Sequence, residues 1–276
     1  MKCAIAPART RGREENTVWW HEVADGPSPS AAVGLARRVP GRMDGARPPA
    51  PGRVSVGPRL RGHLGTSRTG VMLIAILGAT GPTGKLLTSL ALEGGHEVVA
   101  LVRNASKLPG ADKLRVVVGD ATNATDVLNI VNGADVVVSC LGHVPGDAPM
   151  MTTAFKNIIS AASKQAKPPR CVLMTTIGVG RTSFHVKLVL SLLVASCKVI
   201  ADYEEADKFV RLNGKVPYVI VRPAHLTDDP STDKYKTSLK GPYHIAMKIS
   251  RADVASFLLR AASSAEFENK AVQLYA

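Results

Sequence analysis

The sequence has no apolar run approaching the roughly 18 residues that a membrane-spanning helix needs. Its longest candidate, Leu188 to Cys197, is held between Lys187 and Lys198, so no transmembrane segment is expected. Cysteine is scarce, and Cys3, Cys140, Cys171 and Cys197 form neither a CxxC pair nor a Cys/His ligand spacing. That leaves no basis for a disulfide framework or a bound metal. A GxSxG elbow, a GxxxxGK[ST] phosphate loop and any hydrolase constellation are also missing. Acidic residues are in short supply, 22 against 35 Lys and Arg, for a net charge of +13. Such a charge raises a nucleic-acid partner, and where it sits decides that question.

Much of it sits at the start. Residues 1–70 hold eleven Arg and one Lys against five acids, a net of +7, and residues 71–276 carry +6. The same segment contains 10 of the 24 Gly and 8 of the 18 Pro. Runs such as Arg47-Pro48-Pro49-Ala50-Pro51-Gly52-Arg53 build neither helix nor strand. A chain of this composition buries too little apolar surface to offset its ordering entropy, so 1–70 is expected to be a disordered basic extension. Three readings of it stand side by side. It is a segment without a role of its own, even an over-extended reading frame, since Met72 opens a self-sufficient-looking domain. It is an organellar transit peptide, against which Glu14, Glu15, Glu22 and Asp25 count, because such peptides are poor in acids. It is a nucleic-acid-binding arm, against which count its scattered arginines and its two aromatics, Trp19 and Trp20. The expected location is cytoplasmic, or organellar if this segment includes a transit peptide. No nucleic-acid partner is expected, and nothing signals an oligomeric state.

Residues 71–276 alternate between strand and helix patterns. Val71 to Leu77 is a continuous apolar run, as expected for a strand buried on both faces. Pro82 suits the first position of a helix that runs to the Gly94-Gly95 stop. Further strands are expected at His96–Val102, Leu114–Val118, Ala134–Leu141, Cys171–Thr175 and Tyr218–Val221. Helices are expected near Ala124–Val131, Met151–Gln165 and Val186–Leu212. This alternation predicts a single α/β domain, a Rossmann-like doubly wound parallel sheet.

Gly78-Ala79-Thr80-Gly81-Pro82-Thr83-Gly84 lies directly between the first strand and the first helix. Such a turn needs conformations that a Cβ obstructs, and its backbone must approach a pyrophosphate closely. The following helix offers N–H groups and the positive end of its dipole to the phosphates. A dinucleotide is therefore the expected ligand.

The second strand ends Leu101-Val102-Arg103-Asn104, with no acid before Asp112. NAD-binding sheets place an acid there for the ribose 2′-OH, whereas Arg matches a 2′-phosphate. Ser106 and Lys107 add a donor and a charge. NADP(H) is the expected cofactor. Gly119-Asp120-Ala121, Leu141-Gly142-His143 and Thr175-Thr176-Ile177-Gly178 close later strands on the same edge, where such sheets bind ligands.

Gly78–Gly84, the Arg103 strand end, Val118-Gly119-Asp120, Val221-Arg222-Pro223-Ala224 and Ile249-Ser250-Arg251-Ala252-Asp253-Val254-Ala255 together carry a resemblance. Over residues 72–276 the sequence resembles the atypical short-chain dehydrogenase/reductase group with the NAD(P)H-binding, NmrA-like fold. Within it, the sequence is most similar to the flavin reductase/biliverdin IXβ reductase type. The resemblance implies that Thr80 to Thr83, within the Gly78, Gly81 and Gly84 turn, bind the pyrophosphate. It implies that Arg103 meets the 2′-phosphate and that Asp120 and Ala121 meet the adenine. Leu141, Gly142, Thr175 and Thr176 would line the nicotinamide side, with Pro223 near the carboxamide.

Tyrosine-dependent relatives of that group use Tyr-x-x-x-Lys, in which Lys lowers the Tyr pKa. Here Asp207 stands four residues after Tyr203, and Lys208 stands five after it. The dyad is thus expected to be absent, with Tyr203 a helix-surface or packing residue. Hydride transfer to a small planar redox substrate needs mainly orientation, with water as proton source. Thr175 and Thr176 are the candidate catalytic residues, as orienting hydroxyls. His143, His185, His225 and His244 are proton sources by residue type alone, His225 being the best placed. Asp202, Glu204, Glu205 and Asp207 read as a solvated helix stretch. Val186 to Ile200 reads as core packing, a pocket lid or a membrane-surface contact. The expected function is an NADPH-dependent oxidoreductase acting on a flavin, bilin or quinone-like acceptor. The alternative is a non-catalytic NAD(P)-binding redox sensor or assembly factor.

Overall fold

The structure, a computed structural model, describes residues 70–144, 147–180, 197–240 and 247–276. The expected disorder of 1–70, all but its last residue, lies outside these residues. So do His185, His244 and the helix expected from Val186 as far as residue 196.

Strand β1 (Leu73–Leu77) is followed by helix α1 (Pro82–Glu93), β2 (Glu97–Val102), β3 (Leu114–Val118), α2 (Ala124–Val131) and β4 (Val136–Ser139). Then come α3 (Met151–Ser163), β5 (Arg170–Met174), α4 (Cys197–Leu212) and β6 (Tyr218–Pro223). The chain closes with β7 (His225–Thr227), β8 (Lys236–Ser238), β9 (Lys248–Ser250), α5 (Arg251–Ser263) and β10 (Lys270–Tyr275). Eight strands form one sheet in the order β3-β2-β1-β4-β5-β6-β10-β8, and β7 pairs with β9 in a small second sheet. All pairings in the large sheet are parallel except β8 against β10. This is the doubly wound parallel sheet expected from the sequence.

The apolar strands have two buried faces because helices cover both. Ile74 and Ile76 of β1 pack with α1 and α5 residues such as Leu87, Phe257 and Leu258. Ala75 and Leu77, displaced by one residue, pack with Val127, Phe155 and Tyr203 from α2, α3 and α4. Alternation by one residue thus assigns every side chain of β1 to one of two cores, as strand geometry requires, whereas Val71, before the strand, is exposed.

Helix α1 begins with Pro82 at its first position and stops where Gly95 takes a φ of +80°. Its start and end match the expected signals. Helix α4 differs from expectation in what its acids do. Asp207 is fully buried, and Asp202 is half-buried against α3. The Asp202 carboxylate accepts the Met151 N–H at 2.7 Å and the Thr152 N–H at 3.0 Å. It closes the first turn of α3, whose own cap residue Met150 contributes no side-chain bond. The reading of Asp202 and Asp207 as solvated is therefore corrected: each has partners on another element, which helix periodicity alone does not reveal. Strands β7 to β10 and helix α5 were not assigned from sequence; β10 extends the parallel sheet beyond β6 after the α5 crossover.

Candidate functional site

The turn after β1 is closed by the Gly81 N–H donating to Gly78 O at 3.1 Å. Gly78 adopts a φ of +79°, and a Cβ there would lie 2.8 Å from the Cys140 carbonyl carbon. A Cβ on Gly84 would overlap the Gly78 carbonyl oxygen. Both glycines thus let β1, its turn and α1 pack against the end of β4. Gly81 differs: the nearest atom to a Cβ there is Gly78 O at 3.4 Å, and the residue lines an open groove. Gly81 is also the cap of α1 and supplies no side chain to its first-turn N–H groups. Adding a Cβ at Gly81 would use groove space rather than core space. That is the cradle a dinucleotide phosphate requires.

The groove encloses about 220 Å3. Gly78, Thr80, Gly81, Arg103, Asp120, Ala121, Leu141 and Gly142 all line it, so most of the cofactor residues expected from sequence converge. Pro82, Thr83 and Gly84 lie outside the lining and form the first turn of α1, with Pro82 exposed and the other two buried. Lys107 lines the groove together with Arg103. Ser106 has a local partner, since its hydroxyl donates to Asn104 Oδ1 at 2.8 Å. The Arg103 Nη1 lies 3.7 Å from Asp147 Oδ2, a long pair between largely exposed side chains. Such a pair is worth little, so a phosphate can take the guanidinium over. Asp120 accepts the Thr122 hydroxyl and N–H, each at 2.7 Å. These two bonds hold its carboxyl below the ordinary carboxylate range, against burial and with help from Arg103.

A second cavity, of about 450 Å3, adjoins the first at Leu141 and Gly142, which line both. Thr175, Thr176 and Pro223 line it, as the sequence suggested for the nicotinamide side. Thr175 is buried, with its hydroxyl 3.5 Å from Val221 O, and Thr176 is half-buried. His143 and His225 also line the cavity. Two contributors were missed in the sequence reading, Tyr203 as a cavity residue and Arg251 as a charge. The Tyr203 hydroxyl accepts the His143 N–H at 3.0 Å, bridging α4 to the end of β4. Burial pushes its pKa up; the His143 bond opposes this and the Asp202 charge adds to it. The phenol is therefore protonated throughout the physiological range. Its sequence signal was the position on α4, discounted because Asp207 stands where Lys would. Arg251 was visible within the Ile249–Ala255 motif, without a role.

Asp207 belongs to the core. It takes three bonds from Arg222, at 2.7, 2.9 and 3.0 Å, and one from Arg211 at 2.6 Å. Asp207, four residues after Tyr203, is thus one member of a buried ion pair.

A glycine turn at the β1–α1 crossover, with a groove running across the carboxyl ends of β1 and β4, defines a Rossmann dinucleotide-binding protein. The chain belongs to the NAD(P)H-binding family, whose model matches residues 78–265. An uncharacterized chloroplastic protein of Arabidopsis thaliana is 30% identical over 217 residues, 74% of this chain and 76% of its own length. Three further curated relatives match over shorter stretches, spanning 20 to 48% of their own lengths. Among solved structures, ChuY, an anaerobilin reductase from Escherichia coli O157:H7, superposes with a TM-score of 0.60 at 24% identity. That match covers 73% of this chain and 96% of ChuY. A Streptococcus pneumoniae protein with the provisional assignment NADH-flavin reductase superposes with a TM-score of 0.59 at 19% identity, covering 74% of this chain and 99% of its own. At these identities the structural likeness establishes the fold. Among the described residues, no helix is long and apolar enough to cross a membrane.

Proposed function

We propose that this protein is an NADPH-dependent oxidoreductase that reduces a flavin, bilin or quinone-like acceptor without a Tyr–Lys dyad. The carrying observation is that Leu141 and Gly142 line both cavities, which places the second cavity beside the cofactor groove. A Cβ on Gly142 would meet one atom nearby, the Tyr203 hydroxyl oxygen at 3.8 Å. The floor between cofactor groove and second cavity is thus open enough for a planar acceptor to lie against a planar ring. The names of the two reductases of like fold support the acceptor class.

NADPH, when bound, supplies a hydride from its nicotinamide ring. Thr80, Gly81 and the Pro82-Thr83-Gly84 turn of α1 would hold its pyrophosphate, and Asp120 and Ala121 its adenine end. Arg103 and Lys107, with no acid at the end of β2, favour the 2′-phosphate. Leu141, Gly142, Thr175, Thr176 and Pro223 would set the ring against the second cavity. Tyr203 donates a hydrogen bond from its protonated hydroxyl to the acceptor, and water supplies the proton. The location proposed is the cytoplasm, or an organelle if residues 1–70 include a transit peptide. Its chloroplastic relative favours the organelle.

The test is NADPH oxidation by the full chain, followed at the reduced-nicotinamide absorbance band with FMN, riboflavin, biliverdin and a quinone. Turnover with at least one acceptor is expected. Retained NADPH binding without turnover of any would overturn the reductase reading in favour of a redox sensor.

A further inference from the structure

The second cavity has a charge pattern that the hydride chemistry does not require. Among the described residues, no Asp or Glu lines it. Its ionisable lining is His143, His225, Tyr203 and Arg251. Among the described residues Arg251 is its one permanent charge, set at the first position of α5 beside β9. A guanidinium on a cavity wall with no carboxylate among its described lining residues loses hydration when a neutral ligand fills the cavity, which an anionic ligand would offset.

The guanidinium has one ion-pair partner among the described residues. Arg251 Nη1 donates to Asp228 Oδ1 at 2.6 Å, and the Asp228 side chain is 84% exposed, against 24% for Arg251. An ion pair with one largely solvated member adds little stability. A ligand anion in the cavity would be less hydrated than Asp228 and could take two guanidinium N–H groups in parallel. The balance therefore favours exchanging Asp228 for a ligand anion.

Building on the reductase reading above, we infer that the acceptor carries an anionic oxygen group, a phosphate or a carboxylate, that Arg251 binds. Asp228 is the resident counterion, which keeps the guanidinium extended along the cavity wall and gives way when the acceptor enters. Arg251 is thus a specificity residue, selecting among planar acceptors by charge at a distance from the reacting atoms. The capped start of α5 keeps it in place, since Ser250 Oγ accepts the Asp253 N–H at 3.0 Å.

The experiment uses two matched pairs with the NADP⁺-loaded full chain: FMN with riboflavin, and biliverdin with its dimethyl ester. Affinity is read by fluorescence quenching or absorbance titration, and KM by NADPH oxidation. At least one anionic member is expected to bind about tenfold more tightly than its neutral partner, the scale of one charge-assisted hydrogen bond. The pair in which that happens tells phosphate from carboxylate. Arg251→Ala should bring the ratio near one, Arg251→Lys should restore part of it, and Asp228→Asn should lower the KM of the anionic member. NADPH affinity of each variant checks the fold and the cofactor groove. Equal binding of both members in the unaltered chain, a ratio that survives Arg251→Ala, or no binding of any of the four overturns the inference. If charge-selective binding depends on Arg251 but no acceptor is reduced, the anion site stands and the reductase reading falls. If acceptors are reduced with no charge preference, the reductase reading stands and the anion site falls.

Discussion

Asp207 of α4 and Arg222 of β6 form a buried, bidentate ion pair, with Arg222 Nη2 at 2.7 Å and Nε at 3.0 Å from Asp207 Oδ2. Gly180 packs against the guanidinium so closely that a Cβ on it would overlap Arg222 Nη2. The pair ties the helix that carries Tyr203 to the strand that carries Pro223, and so joins two walls of the second cavity. Removing one member of such a pair strands the other charge without solvent. Asp207→Ala should therefore cost about 3–5 kcal/mol, read as a lower urea midpoint. Replacing both, as in Asp207→Leu with Arg222→Met, should recover most of that loss. If the single substitution is silent, the pair does not hold these elements together.

The proposed preference for NADPH rests on Arg103, which lines the groove. Arg103→Ala should weaken NADPH about 10- to 100-fold, from loss of a charge-assisted contact, and NADH much less. Dissociation constants for both cofactors decide this, and an equal loss for both removes Arg103 from the 2′-phosphate. Asp147→Asn, by freeing the Arg103 guanidinium, should tighten NADPH slightly and leave NADH unchanged.

Gly81 and Gly84 should fail in different ways when changed to Ala. At Gly84 the new Cβ meets backbone, the Gly78 carbonyl, which cannot move without shifting the turn. That variant should lose both stability and cofactor affinity. At Gly81 the Cβ meets Gly78 O at 3.4 Å, an ordinary contact, and otherwise enters the groove. That variant should unfold at nearly the same denaturant concentration as the unaltered protein while binding NADPH at least tenfold more weakly. Thermal melts and cofactor titrations on the two proteins separate these outcomes.

Two ionisations should shape the pH dependence of stability, with opposite signs. Burial raises the Tyr203 pKa above its ordinary value of 10.0, so the folded chain holds that proton more tightly than the unfolded one. Its stabilisation is complete below about pH 10 and is lost as pH rises further. Tyr203→Phe should remove part of the alkaline decline. Asp253 behaves oppositely. Burial alone would raise its pKa, but bonds from the Ser231 hydroxyl, the Asp233 N–H, the Ser250 hydroxyl and the Thr232 N–H outweigh that and lower it. Its contribution is present above pH 3.8, the ordinary value, and is lost as pH falls below that. Asp253→Asn should flatten the acid side of the profile, measured by urea midpoints from pH 2 to pH 11.

The sheet and the phosphate turn were legible because their signals lie in consecutive residues. A strand covered on both faces reads as unbroken Val, Ile and Leu, and a turn that must pass a phosphate reads as closely spaced Gly between strand and helix. Arg103 was legible for a related reason, since the end of β2 lies at a fixed distance from that turn. The acids of α4 were not legible. Asp202 bonds to Met151, 51 residues away, and Tyr203 to His143, 60 residues away. Nothing in the local pattern of the helix distinguishes an acid facing water from one facing a guanidinium on the next strand.

The sequence by itself therefore determined the architecture, the glycine turn at the β1–α1 crossover and the place of Arg103 at the end of β2. Each of these depends on short-range order along the chain. Tertiary structure alone decided that Asp207 is buried, that Tyr203 shares a cavity with Thr176, and that Arg251 reaches the same wall from β9's end. Those relationships arise where α4, β6 and α5 meet, and packing, rather than spacing in sequence, sets which charges keep water and which exchange it for one another.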